Sequence, residues 1–331
     1  YGFIRQNEDY VGFDPLRIWI NEAHKRGIKV HIWFETFYVG NKPPETNAGY
    51  ILAKKPEWAN YQKKNADSDT IAYSVSEHNG YFIDPANPEV QNFLYELLCE
   101  IITRYKPDGI NLDYIRYPQS LDTIYSNYDM SNWGYTKYAR DEFFKMYGVD
   151  PIELKYTDPL WFQWRAYRCN KVTSFVRRVS VLCRFNKIQI TTVIFPNRNL
   201  ALNTKMQDWK TWSMNNFVDG FTPLFLTCND MTAINLMEEI LRNKSASTKL
   251  YAGLFVTFMN GSSADLMKQI HAARKYCLNG LIIFDYAHLT DYYVDTLTES
   301  VFKSNKKEIV ITDTAKSQQV KYRTGSRRGG N

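Results

Sequence analysis

Residues 107–118 read Pro-Asp-Gly-Ile-Asn-Leu-Asp-Tyr-Ile-Arg-Tyr-Pro. Asp108-Gly109 makes a turn, and residues 110–115 form a short strand of good β formers. Side chains alternate across a strand. Ile110, Leu112 and Tyr114 therefore face one way, and Asn111, Asp113 and Ile115 the other. One face is apolar and the other carries a carboxylate. Pro118 has no N–H to donate and ends the pairing. A carboxylate near the end of a buried strand is costly unless it is paired or used. Two readings stand side by side: a structural Asp113–Arg116 ion pair, or a working carboxylate that Arg116 and Tyr117 orient while they bind substrate hydroxyls.

Upstream, Asp14 and Pro15 start a helix whose apolar face is Leu16, Trp19, Ile20 and Ala23, and Gly27 stops it. A strand over 29–35 follows. Val30, Ile32 and Phe34 face one side, and His31, Trp33 and Glu35 the other. The polar stretch 36–80 is long, and long loops in compact domains are usually functional. Trp58 and Tyr61 are candidates to line a groove there. Residues 81–83 read as a short strand ending in Asp84. Asn87-Pro88 then caps a helix with Val90, Phe93, Leu94, Leu97, Leu98, Ile101 and Ile102 at helical spacing. Downstream, strands are expected at 188–195, 220–226, 250–256 and 280–286, separated by helical stretches and closed by a helix over 291–302. Strands alternating with helices describe a parallel α/β fold.

The stretch from Asp108 to Pro118 resembles the signature of the family-10-like glycosyl hydrolases, a bacterial group of (β/α)8 barrels. That group includes an enzyme cutting peptide-free peptidoglycan glycan strands. Three further segments resemble it: Phe13–Leu16 with Ala23–Phe34; Tyr81–Val90, with Ala86 where Gly is usual; and Trp161–Arg165 with Val176–Arg178. The resemblance runs from about Phe13 to Phe302. It implies an α/β (β/α)8 TIM barrel over 1–303. Seven strands and an opening helix with no strand before it suggest that this barrel lacks its first strand. The family also implies an exported protein, periplasmic or at the cell surface, although no signal peptide is read in these residues.

The net charge of +6 is uneven. Seven Lys or Arg and two acids lie from Ser304 onward, which leaves about +1 for the body. The body is therefore no nucleic-acid platform, and the basic 304–331 segment reads as a disordered tail. Cys99, Cys169, Cys183, Cys228 and Cys277 form no Cys-x-x-Cys pair and read as mostly free. No run is apolar for long enough to span a membrane. The 24 Tyr and 8 Trp suit sugar stacking as well as core packing.

Barrel enzymes build their sites at the C-terminal ends of the strands. Glu35, Asp84, Asp113 and Asp285 all fall at expected strand ends. Cleaving a glycosidic bond usually takes two carboxyl groups. Asp113 is the principal catalytic candidate, with Glu35 or Asp285 as its partner and Asp230 as a weaker third choice. The family more often carries Asn near the position of Glu35. Arg116, Tyr117, Trp33, Asp84, His31, Tyr114 and Tyr286 are candidate substrate contacts. For Asp84 the alternative is a turn or helix cap, and for His31 a satisfied core histidine. No compact ligand spacing points to a metal, and no cofactor is expected. The expected partner is a polysaccharide. The competing function is a carbohydrate-binding barrel without a complete acid/base pair.

Overall fold

The computed structural model describes residues 8–46, 50–68, 70–121, 125 and 128–303, with the backbone of 307–310 and 321–324. Six strands form one parallel sheet in chain order: β1 (His31–Glu35), β2 (Gly109–Asp113), β3 (Gln189–Thr192), β4 (Gly220–Phe221), β5 (Lys249–Phe255) and β6 (Gly280–Phe284). The helices are α1 (Pro15–Lys25), α2 (Tyr50–Lys54), α3 (Pro88–Tyr105), α4 (Tyr128–Ser131), α5 (Lys137–Tyr147), α6 (Trp161–Phe185), α7 (Arg198–Lys205), α8 (Trp209–Met214), α9 (Asp230–Asn243), α10 (Ser263–Lys275) and α11 (Asp291–Glu299). Parallel neighbours need crossover connections, and helices supply them here. The strand order never reverses, as it would at the switch point of a doubly wound sheet. Among the described residues no ladder joins β6 to β1. Yet Trp33 of β1 and Phe284 of β6 meet edge to face, with ring centroids 4.9 Å apart. The sheet therefore curls until its two edge strands face each other, as part of a barrel wall.

Local signals act where expected. Asp14 caps α1 by accepting from the Arg17 N–H at 3.1 Å, and Asn87 caps α3 by accepting from the Glu89 N–H at 2.9 Å. In α1 only Ile20 is fully buried, while Trp19 lies exposed. On the outer face of the sheet, Ile110, Leu112 and Ile190 join Phe93 and Leu98 of α3 and Val172 and Val176 of α6 in one buried cluster. A second cluster holds Tyr135, Phe143, Trp161, Trp164 and Tyr167. The buried Arg168 guanidinium lies over the Trp164 ring and donates to Asn132 Oδ1 and the Trp133 carbonyl.

One expected strand is not in the sheet. Residues 81–83 pair antiparallel with the chain that runs on from β1: Phe82 bridges Tyr38, and Ile83 bridges Ala59. The Ile83 N–H donates to the Phe37 carbonyl at 2.9 Å. Short apolar runs of this kind pair wherever partners lie, and here the nearest is the extension of β1. The crossover unit is thus β1–α3–β2, and among the described residues the sheet has six strands rather than seven. In the basic tail, two short strands, β7 (Lys307–Val310) and β8 (Lys321–Thr324), pair antiparallel. The rest of the segment read as a disordered tail lies outside the described residues.

The long loop after β1 is fastened to the sheet by a buried ion network. Glu77 takes both guanidinium nitrogens of Arg116, at 2.8 and 3.0 Å. It also accepts from the Gln119 N–H at 3.1 Å and stands 3.7 Å from the Lys205 ammonium. Burial opposes the Glu77 charge, but Arg116, Lys205 and the Gln119 N–H outweigh it and hold the carboxyl below its ordinary value. Lys205 is pushed the other way, well below the usual lysine value, by burial and by the neighbouring Arg116 charge.

A carboxyl lowered on folding adds stability that is complete above its unfolded pKa and is lost as pH falls through the folded value. Glu77→Ala should destabilise the fold by about 3–5 kcal/mol in urea unfolding, because it strands a buried guanidinium. It should also flatten the loss of stability below the ordinary glutamate pKa of 4.5. A second check uses Gly253, where a Cβ would fall on the Pro223 carbonyl oxygen and come within 3.2 Å of the Phe284 ring. Gly253→Ala should cost about 1–3 kcal/mol in the same measurement.

Candidate active site

The β1–β2 register decides which side chains meet. His31 pairs with Gly109, Trp33 with Asn111 and Glu35 with Asp113. Partners across a parallel pair point to the same face, so Glu35 and Asp113 stand side by side at the C-terminal edge. Beneath them Asn111 is buried, and its Oδ1 accepts from the hydroxyls of Thr191 and Thr222, each at 3.0 Å. This polar layer crosses β2, β3 and the residue after β4. It forms a floor under the two carboxylates.

Asp113 is half-buried. Its Oδ1 accepts from the Tyr114 N–H at 2.6 Å and its Oδ2 from the Trp33 indole N–H at 3.0 Å. Burial pushes the Asp113 carboxyl up, while these two donors and the Arg116 charge pull against it. Burial also raises Glu35, and the Asp113 charge raises it further, with no cation acting against either. Two like charges in one place cannot both ionise easily. The pair therefore resists carrying two negative charges at once.

The Asp113–Arg116 ion pair, one of the two readings of this stretch, does not form. Arg116 is 4% exposed, and its guanidinium belongs to Glu77. Tyr114, which follows Asp113 in the chain, stands at φ +45°. That region is a genuine outlier for a bulky residue and marks local strain. The Tyr114 ring stacks on Tyr38 with centroids 4.5 Å apart, and Arg116 covers it at 4.7 Å. Burial and the neighbouring carboxylates push its hydroxyl up to about 12, against the pull of Arg116. Trp33 is 44% exposed, so it presents ring surface to solvent directly beside Asp113.

Other candidates lie elsewhere. Asp84 is buried in a turn, where it accepts from the Ala86 N–H at 2.9 Å and the Thr136 hydroxyl at 2.6 Å. Burial pushes it up to about 6. It behaves as the turn fastener that its Asp-Pro context allowed, not as a rim carboxylate. Tyr117 is buried, and a Cβ at Gly134 would come within 2.9 Å of its ring. His31 faces inward but at the N-terminal end of β1, about 13 Å below Glu35 at about 3.3 Å per residue. Burial lowers its pKa. Asp285 follows the cis peptide bond after Phe284 and caps a turn over Tyr286–His288. Its Oδ1 takes the His288 ring nitrogen at 2.7 Å, and that contact lowers its pKa. Tyr286 beside it is exposed. Asp230 is the first residue of α9. Trp58 is buried and donates to Glu89, so it does not line a surface groove, and Tyr61 is only partly exposed against the main core. Glu77 is the important residue that sequence reading passes over. Its only signal is an acid inside a long polar loop.

The five cysteines are free. Among the described residues, no group of three His, Cys, Asp or Glu is placed to hold a metal, and no helix is long and apolar enough to cross a membrane.

Comparison with known proteins bears on the family and the fold. Glycosyl hydrolase DigH of Escherichia coli K12 is 35% identical over 112 residues, which are 33% of this chain and 24% of that protein. Glycosyl hydrolase YngK of Bacillus subtilis is 26% identical over 113 residues, 33% of this chain and 19% of that protein. The matched stretch thus spans a quarter or less of these relatives. Among solved structures, the catalytic domain of β-amylase from Paenibacillus polymyxa is similar with a TM-score of 0.57 at 11% identity, over 90% of this chain and 88% of that one. The α-galactosidase from Lactobacillus brevis gives a TM-score of 0.52 at 13% identity, over 87% of this chain and 31% of that one. At such identities the likeness is one of fold, an α/β fold whose parallel sheet forms part of a barrel wall. A family model described as Glycosyl hydrolase-like 10 matches residues 4–259, and the chain belongs to that family.

Proposed function

We propose that this protein is a glycoside hydrolase whose acid/base pair is Glu35 and Asp113. The observation that carries the reading is their register: two carboxylates side by side on adjacent strands, both held above their ordinary pKa values. Their surroundings divide the work. Asp113 receives two N–H donors and feels the Arg116 charge, which favours its anion. Glu35 has only a negative neighbour, which favours its acid form. Glu35 therefore protonates the leaving glycosidic oxygen while the Asp113 carboxylate attacks the anomeric carbon. Glu35, now ionised, takes a proton from water, and the hydroxide oxygen displaces Asp113 from the glycosyl ester. Adjacent parallel strands set the two Cα atoms about 4.8 Å apart. That spacing favours the short carboxyl separation of retaining enzymes, about 5–5.5 Å, over the wider inverting one. Trp33 is the first sugar platform, because it is exposed and tied to Asp113.

The six-stranded sheet is read as part of an eight-stranded (β/α)8 barrel, whose two remaining strands lie between β6 and β1. Family membership points to a bacterial polysaccharide as substrate, with peptide-free peptidoglycan glycan strands as the specific expectation. An exported location would bring enzyme and cell-wall glycan together. Asp285 remains an alternative partner only if it leaves His288 on substrate binding.

The test is release of shortened products from purified glycan strands stripped of peptides. Asp113→Asn and Glu35→Gln should each lower turnover by about 10²–10⁴-fold while glycan binding persists. The wild-type pH profile should be bell-shaped. Activity falls at low pH as the pair takes up its second proton, and at high pH as Glu35 loses its own. Glu35→Gln should remove the alkaline limb. Wild-type protein that binds glycan but releases nothing from it would make the chain a carbohydrate-binding module instead.

A further inference from the structure

On the same C-terminal face as Glu35 and Asp113, but across the mouth of the sheet, lies a cavity of about 500 Å³. Leu226, Thr227 and Cys228 from the loop after β4 line one side, and Thr257, Phe258 and Asn260 from the turn after β5 line the other. Its size is within the usual range for small-ligand pockets. None of its lining residues is a carboxylate, lysine, arginine or histidine. A charged ligand would find no counter-ion here and would pay for its desolvation. A neutral ligand finds two hydroxyls, an amide and a thiol together with exposed apolar surface. Phe258 is 41% exposed and Leu226 43%. One wall is fixed from behind, because the Gln269 amide on α10 donates to the Thr227 carbonyl at 2.7 Å.

The cavity is connected to the carboxylates by a row of aromatic rings. Phe258 stands edge-on to Phe255 with centroids 5.9 Å apart. Phe255, at the end of β5, stacks on Phe284 at the end of β6, at 4.4 Å. Phe284 meets Trp33 of β1 at 4.9 Å, and the Trp33 indole donates to Asp113. The row uses register partners, since Phe255 pairs with Phe284 across β5 and β6. It crosses the gap between β6 and β1 at the level of the site. Phe284 is buried, so the middle of the row is packed interior, and its two ends, Phe258 and Trp33, are the rings that a sugar can reach.

We propose that this cavity is a distal subsite for an uncharged pyranose ring of the glycan cleaved at Asp113, with the exposed Phe258 ring as its platform. The proposal rests on the reading of Glu35 and Asp113 as a glycan-cleaving pair. It adds that the protein holds an extended chain and that the ring farthest from the cleaved bond carries no charge. Flat apolar faces of sugar rings lie on aromatic side chains, and the cavity polar groups satisfy their hydroxyls. Phe258 is a binding residue remote from the reacting atoms.

The experiment measures affinity in the non-hydrolysing Asp113→Asn background by calorimetry. The probes are chito-, cello- and malto-oligosaccharides from disaccharide to hexasaccharide, with oligogalacturonates as charged comparators. In at least one neutral series, affinity should rise with length. Phe258→Ala added to this background should weaken the hexasaccharide by about tenfold and leave the disaccharide unchanged. The charged series should show no length-dependent gain that Phe258→Ala removes. Phe258 is exposed, so the variant should fold, and an unchanged melting temperature checks this. Equal weakening at every length, or no effect of Phe258→Ala on the hexasaccharide, overturns the distal subsite and leaves the carboxylate pair standing. A charged series that gains with length through Phe258 overturns the assignment of an uncharged ring. Failure of every oligosaccharide to bind removes the glycan site itself and the subsite with it.

Discussion

The in-register parallel pairing of β1 and β2 is the constraint on which the site depends. Side chains repeat every second residue along a strand, so a slip of one position would send every inward group outward. With Glu35 opposite Asp113, the same register places Trp33 above the buried Asn111 and His31 against Gly109. Gly109 is needed there because a Cβ would lie within 2.5 Å of the His31 ring. One ladder thus arranges the carboxylate pair at one end and a close contact at the other. The apolar face, Ile32 and Phe34 beside Ile110 and Leu112, keeps the register by being packed against helices.

Charge is distributed in two layers around that ladder. The outer layer is a solvent-facing pair of acids that repel each other. The inner layer is a buried network, Glu77 with Arg116 and Lys205, in which two cations share one acid. Buried ion pairs are weak evidence for net stability, because desolvation offsets most of the attraction. What the network provides is position: it fixes the loop after β1 and the chain after β2 relative to each other, on either side of Tyr114.

Much of this was legible in the residues. Alternation assigned both faces of β1 and β2 correctly, and capping signals at Asp14 and Asn87 located α1 and α3. Asp84 before Pro85 could be read as a turn residue, and it is one. The misses share a cause. Residues 81–83 have strand composition, but composition does not say which partner a strand takes. Arg116 lies three residues after Asp113, yet its partner Glu77 is 39 residues away in a loop without periodicity. His31 has the inward direction expected of it but sits at the wrong end of its strand, which only the register reveals. Asp285 precedes His288 by one turn, and that local contact takes its carboxylate.

Tyr114 has one more consequence. Its left-handed backbone would suit glycine better, so the ring is retained at a conformational cost. That ring lies under the Arg116 guanidinium, while the Tyr114 backbone N–H binds the Asp113 carboxylate. Direct contact would lock the carboxylate as a permanent anion. Engaged instead by Glu77, the arginine biases the acid without capturing it. The strained tyrosine thus ties the carboxylate by its backbone and the arginine by its ring, while Glu77 holds the positive charge away from the acid.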